Sequence, residues 1–189
     1  RNPVLLAKQL ATLDVLSEGR LIFGAGAGWM KEEFQALNAP FASRGPRMAE
    51  YLEVIRRCWT LDDPTFHGRF YDFPPVYCYP KPAQKPHPPV LLGGNAPNVL
   101  QRVARWGDGW LPIRITPKQV EVSRNKLDAL AAERGRDPKS LTISVFGQPT
   151  DTTRSQIDDF LNAGAERVSV WPAHTESEKE MGEQLERMA

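Results

Sequence analysis

Two glycine-rich segments are the residues best suited to chemistry. The first is Gly24-Ala25-Gly26-Ala27-Gly28-Trp29. Alternating glycines let backbone approach a ligand closely, and positive φ is cheap there. Trp29 adds a large flat apolar face with one N–H donor. The second is Gly93-Gly94-Asn95-Ala96-Pro97-Asn98. Two glycines end an apolar run, and Asn95 is expected to cap the helix that follows. Free N–H groups at the positive end of a helix dipole suit an anion, phosphate above all. The plainer readings are tight strand–helix packing for the first segment and an ordinary glycine end with an Asn cap for the second.

Known nucleotide motifs do not fit the first segment. The dinucleotide fingerprint needs glycine at its sixth position, which counted from Gly24 is Trp29. The Gly-Lys-Ser/Thr of phosphate loops is absent. The histidines offer little. His67 and His87 lie in connecting segments, and His174 follows a strand without a fixed partner. No HExxH, CxxC or carboxylate cluster points to a metal.

The elements that must position these residues follow from periodicity. Leu5, Leu6, Leu10, Leu13 and Leu16 recur at helical spacing over Pro3–Ser17. Leu21-Ile22-Phe23 reads as a short strand buried on both faces. A short helix over Met30–Leu37 and a long one over Arg44–Thr60 follow, the latter with Met48, Leu52, Ile55 and Trp59 on one stripe. Thr65–Phe73 alternates around Gly68 as a hairpin. From Pro89 onward strands and helices alternate. Strands are expected at Pro89–Gly94, Gly109–Ile113, Leu141–Phe146 and Arg167–Trp171. Helices are expected after Asn95, over Pro117–Arg134, over Ser155–Ala163 and over Glu176–Met188. Such alternation implies a parallel sheet, either open and doubly wound or part of a barrel. A complete eight-stranded barrel takes ~250 residues. Five strands behind an orphan helix therefore suggest about three βα units upstream. In either fold the ligand end is the C-terminal end of the strands, here including Gly147–Thr150 and Trp171–His174.

Composition narrows the partners. With 24 basic and 23 acidic residues the net charge is +1, which disfavours nucleic acid and membrane surfaces. Two cysteines without motif spacing suit a reducing, cytoplasmic setting. Nine of the 17 prolines fall between Pro64 and Pro97, marking a hairpin and proline-rich insertion at 61–88 within one domain spanning 1–189.

Many ordered residues resemble the luciferase-like family of flavin- and F420-dependent oxidoreductases. They include Arg1-Asn2-Pro3, Ala11-Thr12-Leu13-Asp14, Gly19-Arg20, Leu21 through Trp29 and Glu33-Phe34. Arg44, Glu50, Trp59, Phe66-His67-Gly68, Gln84, Gly93-Gly94 and Gly107-Asp108-Gly109-Trp110 continue the pattern. The resemblance covers essentially the whole chain and is strongest to the branch that uses the deazaflavin coenzyme F420. It implies a TIM (β/α)8 barrel of the bacterial-luciferase-like type, here lacking about the first three strands. It also implies that Gly93, Gly94, Asn95 and Asn98 hold the cofactor phosphate. Ala27, Gly28 and Trp29 would lie along the cofactor, and Trp29 and Arg114 would border the substrate pocket. The family's ring-side polar residue would lie in the N-terminal part, so no catalytic residue is assigned. The activity implied is hydride transfer between F420 and an organic small molecule; a homodimer is one assembly open to the chain. The alternatives are an FMN-dependent monooxygenase using dioxygen and a non-catalytic flavin-binding relative.

Overall fold

The computed structural model describes residues 1–149 and 151–188. Thr150, at the end of one expected ligand-side loop, lies outside the described residues. The chain divides into two compact units, Arg1–Val90 and Leu91–Ala189.

The first unit opens with α1 (Pro3–Leu16), whose Asn2 side chain accepts from the amides of Val4 at 3.0 Å and Leu5 at 3.2 Å. Glu18 and Gly19, both at positive φ, turn the chain out of the helix. The long helix α3 (Arg44–Thr60) packs on α1. Ala7 and Ala11 leave room for a large neighbour, and the buried Trp59 donates its indole N–H to Ala7 O at 3.0 Å. Of the expected α3 stripe, Leu52, Ile55 and Trp59 are buried, and Met48 is half-buried. The opposite face of α1 leaves Leu5, Leu13 and Leu16 exposed.

The strand β1 is Phe23–Ala25, two residues later than expected. Leu21 cannot begin it, because its carbonyl is taken by the Gln84 side chain at 2.8 Å. Phe23 N–H is the first to find a strand-like partner, Pro89 O at 2.8 Å. The expected burial on both faces is also corrected: Ile22 is exposed, and Ala25 is the buried residue of the strand. A short helix α2 (Lys31–Ala36) follows and buries none of its residues.

Polar side chains hold the irregular part of this unit. Asp14, wholly buried, accepts from Gln84 N at 2.9 Å and Gln84 Nε2 at 2.7 Å, so its charge is met by donors from the proline-rich connector. Glu50 accepts from the amides of Phe70 at 2.8 Å and Tyr71 at 2.7 Å. That contact holds the turn between the antiparallel strands β2 (Phe66–His67) and β3 (Asp72–Phe73).

The second unit is a regular βα series. Its elements are β4 (Val90–Gly93), α4 (Val99–Trp106), β5 (Gly109–Leu111), α5 (Pro117–Ala132), β6 (Thr142–Gln148), α6 (Arg154–Asn162), β7 (Arg167–Val170) and α7 (Glu178–Met188). The strands β4, β5, β6 and β7 pair in sequence order, every pair parallel. A doubly wound sheet reverses its strand order at a switch point; this series does not, so it follows the barrel pattern. Thr116 and Thr153 each form a capping box, with Gln119 and Gln156, at the starts of α5 and α6. Arg124 of α5, ion-paired with Asp128, donates to Leu141 O at 2.7 Å and so fixes the entry to β6. Ile143 and Val145 have no exposed surface, nor do Val120 and Leu127 of α5. β6 carries a register shift between Val145 and Gln148, where Gly147 takes positive φ beside the Trp171 ring.

Candidate functional site

In the second unit the strand-end turn after β4 is built from both sides. Gly94, at φ +95°, has open space where a Cβ would stand. Its N–H is not free, as the sequence suggested, but donates to Leu111 O at 3.2 Å. Its carbonyl accepts the indole N–H of Trp110 at 2.8 Å. The turn is thereby tied to β5 at both of its polar atoms.

Asn95 does not cap α4. The helix starts four residues later, and Asn98 occupies the N-cap position without a side-chain bond. Pro97 intervenes, and the residue before a proline is held away from helical backbone. Asn95 instead acts as a detached peptide group: Nδ2 donates to Ile113 O at 2.7 Å, and Oδ1 accepts from Ile113 N at 3.3 Å. The anion donors this leaves are the amides of Asn95 and Ala96 and the first turn of α4 beyond Val99, whose N–H donates to Ala96 O at 2.9 Å; Gly94 is not among them.

A cleft of about 360 Å³ opens beside this turn, lined by Asn95, Ala96, Trp110, Arg114, Ile115 and Lys118 among others. Arg114 stands at φ +49°, an uncommon conformation for a residue with a side chain. It is exposed and makes no ion pair among the described residues. Lys118 is salt-bridged to Glu121 at 2.8 Å. The cleft thus joins unsatisfied backbone donors, a free guanidinium and the apolar walls of Ile115 and Trp110. That donor set fits a phosphate-bearing, acidic group. Burial lowers the pKa of Arg102 on α4 from its ordinary value.

In the first unit Gly26 has open space around it, as a ligand wall requires. Gly28, at φ +82°, has a structural duty as well: a Cβ there would lie 2.6 Å from the Phe34 ring. Ala27 is half-buried, and Trp29 is 80% exposed. Gly93, Gly94, Asn95, Asn98 and Arg114 are brought together at the ends of β4 and β5, while Ala27, Gly28 and Trp29 follow β1.

The remaining candidates are quiet. His67 pairs with Asp72 at 2.9 Å on the exposed hairpin. Cys58 and Cys78 are buried free thiols, and burial, with Cys78 next, pushes Cys58 up to about 12. Among the described residues no group of three or more His, Cys, Asp or Glu is placed to hold a metal ion. Nor is any helix among them long and apolar enough to cross a membrane. Trp110, which lines the cleft, was not among the residues expected there. Its signal was the Gly109-Trp110 pair, since the small neighbour and the large indole donor occupy one strand end.

Comparison with known proteins gives concordant results. An uncharacterized protein of Mycobacterium tuberculosis is 37% identical over 159 residues, covering 81% of this chain and 55% of the relative. An FMNH2-dependent dimethylsulfone monooxygenase of Pseudomonas putida is 32% identical over 154 residues, covering 80% of this chain and 42% of the relative. The chain thus spans about half the length of the curated relatives it matches. Among solved structures, the coenzyme F420-dependent tetrahydromethanopterin reductase of Methanopyrus kandleri superposes with a TM-score of 0.76 at 18% identity. It covers 96% of this chain and 77% of that one. This likeness shows the fold, an α/β fold of the TIM-barrel type. The model of the luciferase-like monooxygenases matches residues 1–187, and the chain belongs to that family.

Proposed function

We propose that the protein is an F420-dependent oxidoreductase acting on an organic small molecule. The observation that carries this reading is the basic cleft at the ends of β4 and β5. A phosphate fits the amides of Asn95 and Ala96 and the first turn of α4 beyond Val99. Gly93 and Gly94 keep the approach free of side chains, and Asn98 stands at the helix entrance. Flavin mononucleotide ends at its phosphate, whereas the deazaflavin continues into an acidic tail. Arg114, exposed and without an ion-pair partner among the described residues, is matched to that tail, with Lys118 beside it.

When bound, the cofactor supplies hydride transfer to or from the substrate, and the protein's share is binding, orientation and shielding. Ala27 and Gly28 offer a wall with little side chain. Trp29, with its exposed indole, borders the substrate and excludes water. Arg114 serves the substrate side of its cleft as well. No residue of this chain is assigned a proton transfer.

A second reading has its own support. The Pseudomonas putida relative, at 32% identity, is an FMNH2-dependent monooxygenase, and a phosphate site alone serves either cofactor. Side-by-side fluorescence titrations of the protein in its full encoded length with F420 and with FMN separate the two. F420 is expected to bind more tightly, and Arg114→Ala should weaken F420 several-fold more than FMN. Equal or tighter binding of FMN, with oxygen-dependent turnover, transfers the protein to the monooxygenase reading.

A further inference from the structure

Arg44 is the first residue of α3, yet its side chain serves the turn after β1. Nε donates to Gly28 O at 3.1 Å, and Nη1 donates to Phe41 O at 3.1 Å. The guanidinium carbon stands 3.9 Å from the centroid of the Phe41 ring. Phe41 meets Phe34 edge-to-face at 5.2 Å, and Phe34 closes over Gly28 at the place a Cβ would need. Arg44 makes no ion pair among the described residues, so its charge is directed at two carbonyls.

This arrangement fixes one peptide plane. The Gly28 carbonyl belongs to the peptide that joins Gly28 to Trp29. Holding its oxygen sets the direction of the Trp29 N–H and Cα. Gly28, at φ +82°, is by itself free to rotate out of that conformation. Trp29 is 80% exposed, so packing supplies little further restraint on the indole. The planar fork of arginine can grip two carbonyls at once while stacking on an aromatic face; a lysine ammonium cannot do both.

We infer that Arg44 is a positioning residue that sets the direction in which the Trp29 side chain leaves the backbone, through the Gly28 carbonyl. Its consequence for turnover rests on the reading above, in which Trp29 borders the substrate. In that setting Arg44 determines how much room the substrate has, without touching it. Arg44→Met should then raise KM several-fold with kcat little changed. Adding it to Trp29→Ala should have no further effect on KM, because the group it positions is gone.

The test that needs no turnover uses protein labelled with ¹⁵N at tryptophan, with Trp29→Phe identifying the Trp29 indole signal. Arg44→Met, and Arg44→Lys as the milder variant, are expected to move or broaden the Trp29 signal. The Trp59 and Trp110 signals, which report on the two cores, should keep their positions. A Trp29 signal unchanged in Arg44→Lys and Arg44→Met overturns the inference, as does a KM effect that simply adds to that of Trp29→Ala. Titrating F420 into the unsubstituted protein tests the other reading separately. If the Trp29 signal then stays in place, Trp29 does not border the cofactor, whatever Arg44 does to it.

Discussion

Trp59 and Trp110 are almost equally buried, at 2% and 4% exposed, and each donates its indole N–H to a main-chain carbonyl. Their partners separate the two regions. Trp59 reaches Ala7, 52 residues away, and joins helix to helix. Trp110 reaches Gly94, 16 residues away, and braces the turn beside the cleft lined by Asn95 and Arg114. The first region is irregular and held by long-range polar contacts, with Asp14 on Gln84 and Glu50 on the hairpin turn. The second repeats one unit and is held by parallel strands and local caps. The same residue type therefore supports helix packing in one region and the candidate site in the other.

The sharpest way to break this comparison is Trp59→Ala. It removes the largest side chain between α1 and α3 together with its bond to Ala7 O, at a cost of roughly 3–5 kcal/mol. Hydrogen exchange should show the loss of protection concentrated in residues 1–90. Equal loss in 91–189 would mean that the two units do not melt separately. The alkaline limb of stability is a second check on how dry the first region is. Cys58 is raised from 9.0 to about 12, chiefly by burial. The native state therefore keeps a proton that the unfolded chain has already lost in that window. The corresponding stability is present in full below 9.0 and declines as pH rises toward about 12. The slope approaches about 1.4 kcal/mol per pH unit. Denaturant melts across that range should be flatter for Cys58→Ala than for the unsubstituted protein; identical slopes would show a wetter interior. The smallest stability effect is expected from Trp110→Phe, which keeps the ring but loses the bond to Gly94, about 0.5–1.5 kcal/mol. Its effect should appear in the site instead, as several-fold weaker F420 binding at nearly unchanged Tm. Unaltered affinity would remove Trp110 from the site and leave it a packing residue like Trp59.

The regular region was the more legible in sequence. Pro117 opens α5, Gly135 follows its end at φ +66°, and Gly164 closes α6 at φ +99°. Each signal acts within one turn of the chain, so local chemistry fixes it. β1 was legible in kind but not in register. Its start depends on Gln84 claiming the Leu21 carbonyl, a contact across 63 residues. The site shows the same division. Both glycine segments stood out because few residue types tolerate their backbone or leave such open approach. The role of Asn95 did not, because its partner Ile113 is 18 residues away on the next strand end.

The alternation of strand and helix, the family, and the two glycine segments with open backbone at Gly26 and Gly94 were all legible from residue order alone. Periodicity, helix ends and glycine placement are local properties, and they survive without knowledge of neighbours. Packing alone selects the order of strands β4 to β7, which follow one another without reversal, and the Gly94 N–H bond to Leu111 of β5. The grip of Arg44 on Gly28 O is of the same kind. These depend on which donor meets which acceptor across tens of residues. Many pairings satisfy the same residue types, and only packing in three dimensions selects among them.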